Sequence, residues 1–115
     1  FVGVNMEKKI IEHICLSLDN GWLINPSPKQ GLIKGYFQLI SAEKKYEHFS
    51  MYCFVMNGML HIYGCVYDEL NGDTAWIPLN KSMPEIVRII KRKVISQKKH
   101  LFSIVNRRIH SEQNM

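Results

Sequence analysis

Three side chains able to do chemistry, His48, His61 and Cys65, fall on one alternation of a β-rich stretch. A nucleophilic cysteine with a histidine base also needs an orienting acid and donors for the oxyanion. Cys65 is expected in mid-strand, away from any helix N-terminus that would activate it, so this reading is set aside. Zinc accepts the same residue types, but spacings of thirteen and four match no familiar finger. Asp68-Glu69 and Asp73 surround Asn71-Gly72, where turn geometry alone calls for Asp and Asn. Neither Gly31–Gly35 nor Gly58–Gly64 has the spacing or the strand-to-helix context of a phosphate loop or dinucleotide fingerprint. The expectation is no cofactor, no metal and no catalytic set. His13, His100 and His110 stand alone on helical segments and read as solvated.

The tyrosines suggest binding instead. Asn57-Gly58 separates two β-rich runs and predicts a two-residue type I′ hairpin. The register then follows: Met56 faces Met59, Val55 faces Leu60, Phe54 faces His61, Cys53 faces Ile62, Tyr52 faces Tyr63, Met51 faces Gly64 and Ser50 faces Cys65. One face of this sheet is aliphatic, with Phe49, Met51, Cys53, Val55, Leu60, Ile62 and Val66, joined by Ile33, Phe37, Leu39, Ala75, Ile77 and Leu79. The other collects His48, Tyr52, Phe54, Met56, Met59, His61, Tyr63 and Tyr67, with Lys34, Tyr36, Gln38 and Trp76 as neighbours. Rings tipped with hydroxyl, imidazole and indole groups suit a surface that is wet when free and dry when bound. The competing reading is that a helix covers this face, or that cross-strand ring pairs stabilise a solvated sheet.

A second surface is electrostatic. Between Ile86 and Ser111 lie Arg88, Lys91, Arg92, Lys93, Lys98, Lys99, Arg107 and Arg108 with no carboxylate. The rest of the chain has seven Lys or Arg against ten Asp or Glu, so the net +5 is a +8 helix on a −3 body. Such asymmetry favours a polyanion: nucleic acid, an acidic membrane surface or an acidic protein. Arg88, Arg92 and Lys99 share the side opposite the apolar stripe, flanked by Lys91 and Lys98. The plainer account is a solvated helix face whose last cations complement the macrodipole.

These residues need elements to hold them. Met6–Asp19 carries Ile10, Ile11, Ile14 and Leu18 at helical spacing and stops at Asn20-Gly21. Phe1–Asn5 are read as lying outside the natural domain, which starts at Met6. Asn25–Gly31, with two prolines and a glycine, is a loop, and Trp22-Leu23-Ile24 anchors it to the core. Four strands follow as an antiparallel meander: 32–41, 48–56, 59–68 and 74–79, with a turn at Asn71-Gly72. Pro78 lacks a ladder donor and puts the fourth strand at an edge. Ser82-Met83-Pro84-Glu85 reads as a capping box opening one long helix to about Val105, where Ile86, Val87, Ile90, Val94, Leu101, Ile104 and Val105 share one stripe. That helix outruns the sheet, and a second subunit is a candidate to cover its distal residues. Residues 111–115 are read as a frayed tail.

Size and composition agree with one domain. At 115 residues, 46% hydrophobic and 22% charged, the chain resembles an average globular domain. No apolar run approaches the length of a bilayer span, and three unpaired cysteines without an export signal suggest reduced, buried thiols in the cytoplasm. The fold expected is α+β: an N-terminal helix, a four-stranded antiparallel meander and a long C-terminal helix, with the helices mainly on one sheet face. The function expected is a non-enzymatic binding module, of adaptor, inhibitor or chaperone type, docking a protein partner through the aromatic face, the basic helix or both, with a homodimer allowed. A single-stranded RNA or DNA binder is the alternative, and a small ribonuclease comes third.

Overall fold

Asn57 and Gly58 take φ of +54° and +71°, the left-handed pair that a type I′ turn requires. The hairpin they close sets the rest of the sheet. In this computed structural model, which describes residues 2–27 and 35–113 and the side chains of 6–27 and 35–109, β3 (Phe49–Met56) and β4 (Met59–Val66) pair in the expected register from Met56↔Met59 to Ser50↔Cys65. The Ile33 and Lys34 positions, and the first residues expected of a strand from Leu32, lie outside the described residues.

Among the described residues the sheet has six strands rather than four. β1 (Trp22–Ile24) pairs with β2 (Phe37–Ser41), which pairs with β3. On the far side, β4 receives both β5 (Leu70–Asn71) and β6 (Ala75–Pro78), all antiparallel. Trp22–Ile24 therefore does more than anchor a loop, and β6 lies at the edge that Pro78 called for. The turn expected at Asn71-Gly72 lies earlier, at 67–69, where Tyr67 and Asp68 have φ of +53° and +56° and the Glu69 N–H donates to the Val66 carbonyl at 3.1 Å. Cys65 faces Asn71 and Ile62 faces Ala75, so two residues of β4 oppose three between β5 and β6. This is a bulge in one broken strand.

α1 (Val2–Leu18) begins four residues before the expected start at Met6 and ends where Asp19, Asn20 and Gly21 all take positive φ. Its Glu7 carboxylate accepts the Val55 N–H at 2.9 Å, satisfying a donor on β3 beyond the end of β2. α2 (Met83–Lys93) starts as expected, with Ser82 Oγ accepting the Glu85 N–H at 3.4 Å and Pro84 in the first turn.

The single long C-terminal helix is not observed. α2 stops at Lys93, a 3-10 turn covers Ile95–Gln97, and α3 (Lys98–Gln113) follows. Neither glycine nor proline is needed for the break. Ser96 Oγ bonds the Arg92 carbonyl, and the Gln97 side chain reaches the bulge, accepting the Asp73 N–H at 2.8 Å and donating to Asp73 Oδ2 at 3.4 Å. α3 packs on β4 and β5 with Leu101 buried and Phe102 half-buried, so this chain itself covers these two, while Ile109 stays 44% exposed.

One core results. Ile11, Ile14 and Leu18 of α1 and Ile86, Val87 and Ile90 of α2 meet Leu39, Met51, Leu60, Ile62 and Ile77 from the aliphatic sheet face. Each such side chain contributes about 1.5–3 kcal/mol by leaving water. Gly64 makes room at this face for the Phe49 ring, whose edge would lie 2.8 Å from an added Cβ. Among the described residues, no helix is long and apolar enough to cross a membrane.

Candidate functional site

Alternation along β3 and β4 sends every second side chain away from the helices, and β2 and β6 add to that layer. Tyr36, just before β2, meets Phe54 at 4.6 Å between ring centroids, His61 at 5.8 Å and Tyr63 at 6.1 Å. Tyr52 stacks on Tyr63 at 5.7 Å. His61 lies between Phe54 at 4.4 Å and Trp76 at 4.2 Å. Six of the eight expected residues thus form one continuous ring cluster. α1 and α2 pack on the aliphatic side, and the ring contact that α3 makes with this alternation is that of Phe102 with Tyr67. Tyr36, Tyr52, Phe54, His61 and Tyr63 are half-buried, and Trp76 is 50% exposed.

His48 and Tyr67 form a separate pair at the opposite end of the hairpin. Both have positive φ, their rings stack at 4.7 Å, and Tyr67 also meets Phe102 of α3 edge-on at 5.7 Å. Bulky side chains in the left-handed region are strained. The pair borders a polar recess of ≈ 310 Å³ shared with Gln38, Ser50 and Asp68.

The cluster's polar tips are tuned by burial. Burial lowers the His61 pKa from its ordinary 6.5, keeping the imidazole neutral. Its Nδ1 is 3.4 Å from Tyr36 Oη. Burial also raises Tyr63. Tyr52 is pushed up to about 12, first by burial and then by Asp68, whose carboxylate accepts its hydroxyl proton at 3.1 Å. His61, Tyr52 and Tyr63 are therefore neutral at physiological pH, with the Asp68 carboxylate at the Tyr52 edge of the cluster. Cys65 is buried beneath it with its thiol raised to about 11, mainly by burial. His48 and His61 stand at opposite ends of the hairpin, so the trio His48, His61 and Cys65 does not converge. Among the described residues, no cluster of three or more His, Cys, Asp or Glu could hold a metal.

No family model, curated protein or solved structure matches this chain. The surfaces are therefore read from their own geometry.

The basic residues part company at the break after α2. Lys98 is recruited to the body, where its Nζ bonds the Lys45 carbonyl and lies 5.1 Å from the centre of the Tyr46 ring. Lys99 is exposed on α3 and no longer shares a helix face with Arg88 and Arg92. Arg88, Lys91 and Arg92 line a groove of ≈ 830 Å³ between α1 and α2, with Met83, Pro84 and Val87 from α2 and His13 and Ser17 from α1. Sequence reasoning missed the α1 contribution. The one signal available was Leu16, an apolar residue on the polar side of the helix, which is 76% exposed.

Proposed function

We propose that this chain is a non-enzymatic intracellular binding module that docks a protein partner through the ring cluster Tyr36, Tyr52, Phe54, His61, Tyr63 and Trp76. The observation that carries the reading is that these rings form a continuous layer on the sheet face away from α1 and α2, with Trp76 half exposed. Tyr and Trp are the residues that most often anchor protein interfaces, because each has a large apolar body and a polar tip. Neutral tips support this, since docking then removes no charge from water. Three buried, unpaired thiols suit a reducing compartment. A nucleic-acid reading is weakened by separation: the rings and the α2 cations lie on opposite sides of the sheet, so one strand cannot stack on the first while its phosphates meet the second.

The test uses the full chain with a photo-reactive amino acid at position 76, expressed in its own host. A discrete protein adduct is expected, lost on Tyr52→Ala with Tyr63→Ala while the variant still melts cooperatively. An adduct that persists, or a variant that unfolds, overturns the reading. Sedimentation that finds a reversible dimer, abolished by the same variant, makes the partner a second copy. Titration with single-stranded RNA at two salt concentrations is the third arm, and salt-sensitive binding lost in the variant would replace this reading with the nucleic-acid one.

A further inference from the structure

We propose that the groove between α1 and α2 is a docking site for an acidic amphipathic helix of a partner protein. It lies on the far side of the sheet from the ring cluster, and the proposal does not rest on the reading of that cluster. Its floor is apolar, formed by Met83, Pro84 and Val87. One wall is cationic, because Arg88, Lys91 and Arg92 stand at i, i+3 and i+4 along a single face of α2. Among the described residues, Lys91 and Arg92 have no carboxylate within salt-bridge distance, and Arg88 has Glu85 at 3.9 Å. The other wall, from α1, holds His13 and Ser17 and is bordered by large apolar side chains left in water. Leu16, adjacent to Ser17, is 76% exposed, and Met6, two turns before His13 on the same face, is 56% exposed.

These features select one occupant. A groove between two helices, apolar below and charged along one side, matches a third helix with an apolar stripe and acidic residues on one flank. Glutamates there would meet Arg88, Lys91 and Arg92, while leucines would cover Met83, Val87 and the exposed Leu16. A single-stranded nucleic acid finds no phenyl, phenol or indole ring in this groove for its bases to stack on. A flat anionic membrane would reach exposed Pro84 and Leu16 but not Val87, which is buried.

The probe is a synthetic peptide helix with leucines on one face and glutamates along its flank, added to the isotope-labelled full chain and followed by NMR. Amide shifts are expected in 13–17 and 83–92, with binding weakened about tenfold by Arg88→Glu with Arg92→Glu and by the independent variant Leu16→Ser. Both variants sit at exposed positions and should still melt cooperatively. A version of the peptide with lysines for glutamates should not bind. The proposal is overturned by absence of these shifts, by equal binding of the lysine peptide, or by variants that bind as well as the parent. It is equally overturned if phosphatidylglycerol vesicles or single-stranded RNA shift these amides and the acidic peptide does not.

Discussion

His61 gathers the consequences of the ring cluster into one titratable group. With Phe54 and Trp76 at 4.4 and 4.2 Å, its imidazole has lost part of its hydration, and protonation would leave a charge among rings. Its folded pKa therefore lies below the 6.5 of the unfolded chain. The sign for stability follows: above 6.5 both states are neutral, whereas on acidification the unfolded chain takes up its proton first and stability is lost down to the folded pKa. An NMR titration should give a midpoint below 6.5, and the melting temperature should fall as the pH drops through 6.5, less so in His61→Gln. A midpoint at or above 6.5 would show that the rings do not desolvate the site. Alternation already placed Tyr36 and Trp76 on the face of His61, but that Trp76 stands directly opposite His61 depends on the pairing of β6 with β4, which no local pattern specifies.

At the scale of elements, the decisive contact joins the bulge to the helix break. Gly72 has no side chain where Gln97 Oε1 and Leu101 Cδ1 crowd in, and Gln97 in turn holds the Asp73 N–H at 2.8 Å. Gly72→Ala should cost about 1–3 kcal/mol by overpacking. Gln97→Ala should cost about 0.5–1.5 kcal/mol through the lost hydrogen bonds. Because Gln97 is the nearest obstacle, Gly72→Ala should cost less in the Gln97→Ala background, with a coupling of about 0.5–3 kcal/mol in a denaturation cycle. Strict additivity would mean that Gln97 is not what resists a side chain at position 72. The periodicity of Ile86 to Val105 is compatible with one unbroken helix, and the contact of Gln97 with Asp73, distant in sequence, lies at the interruption.

For the whole molecule, the sheet acts as a partition. Its rings face one way, and on the other side α1 and α2 form a cationic groove, within a body measuring 54 × 29 × 25 Å. Groups separated by a packed core and sharing no partner behave independently. Trp76→Ser should therefore leave binding of the acidic peptide unchanged, and Arg88→Glu with Arg92→Glu should leave the adduct formed at the ring face unchanged. Calorimetry and cross-linking on the two variants check this. A tenfold effect of either on the other surface would show that the two faces are coupled.

Local rules determined a good part of this protein. Asn57-Gly58 dictated the hairpin register, because a two-residue type I′ turn needs left-handed φ at both positions, and that register alone separated the aliphatic from the aromatic face. Ser82 and Pro84 marked the start of α2, and Asn20-Gly21 the end of α1. Tertiary structure decided the rest, since it rests on contacts between distant residues. Among these are the pairing of β1 with β2, the bulge opposite Tyr63 and Gly64, the helix break at Gln97 and the meeting of α1 with α2. Which cations face a groove and which, like Lys98, are tied to the body was settled there, because a helix wheel records direction around one axis and not what lies beyond it.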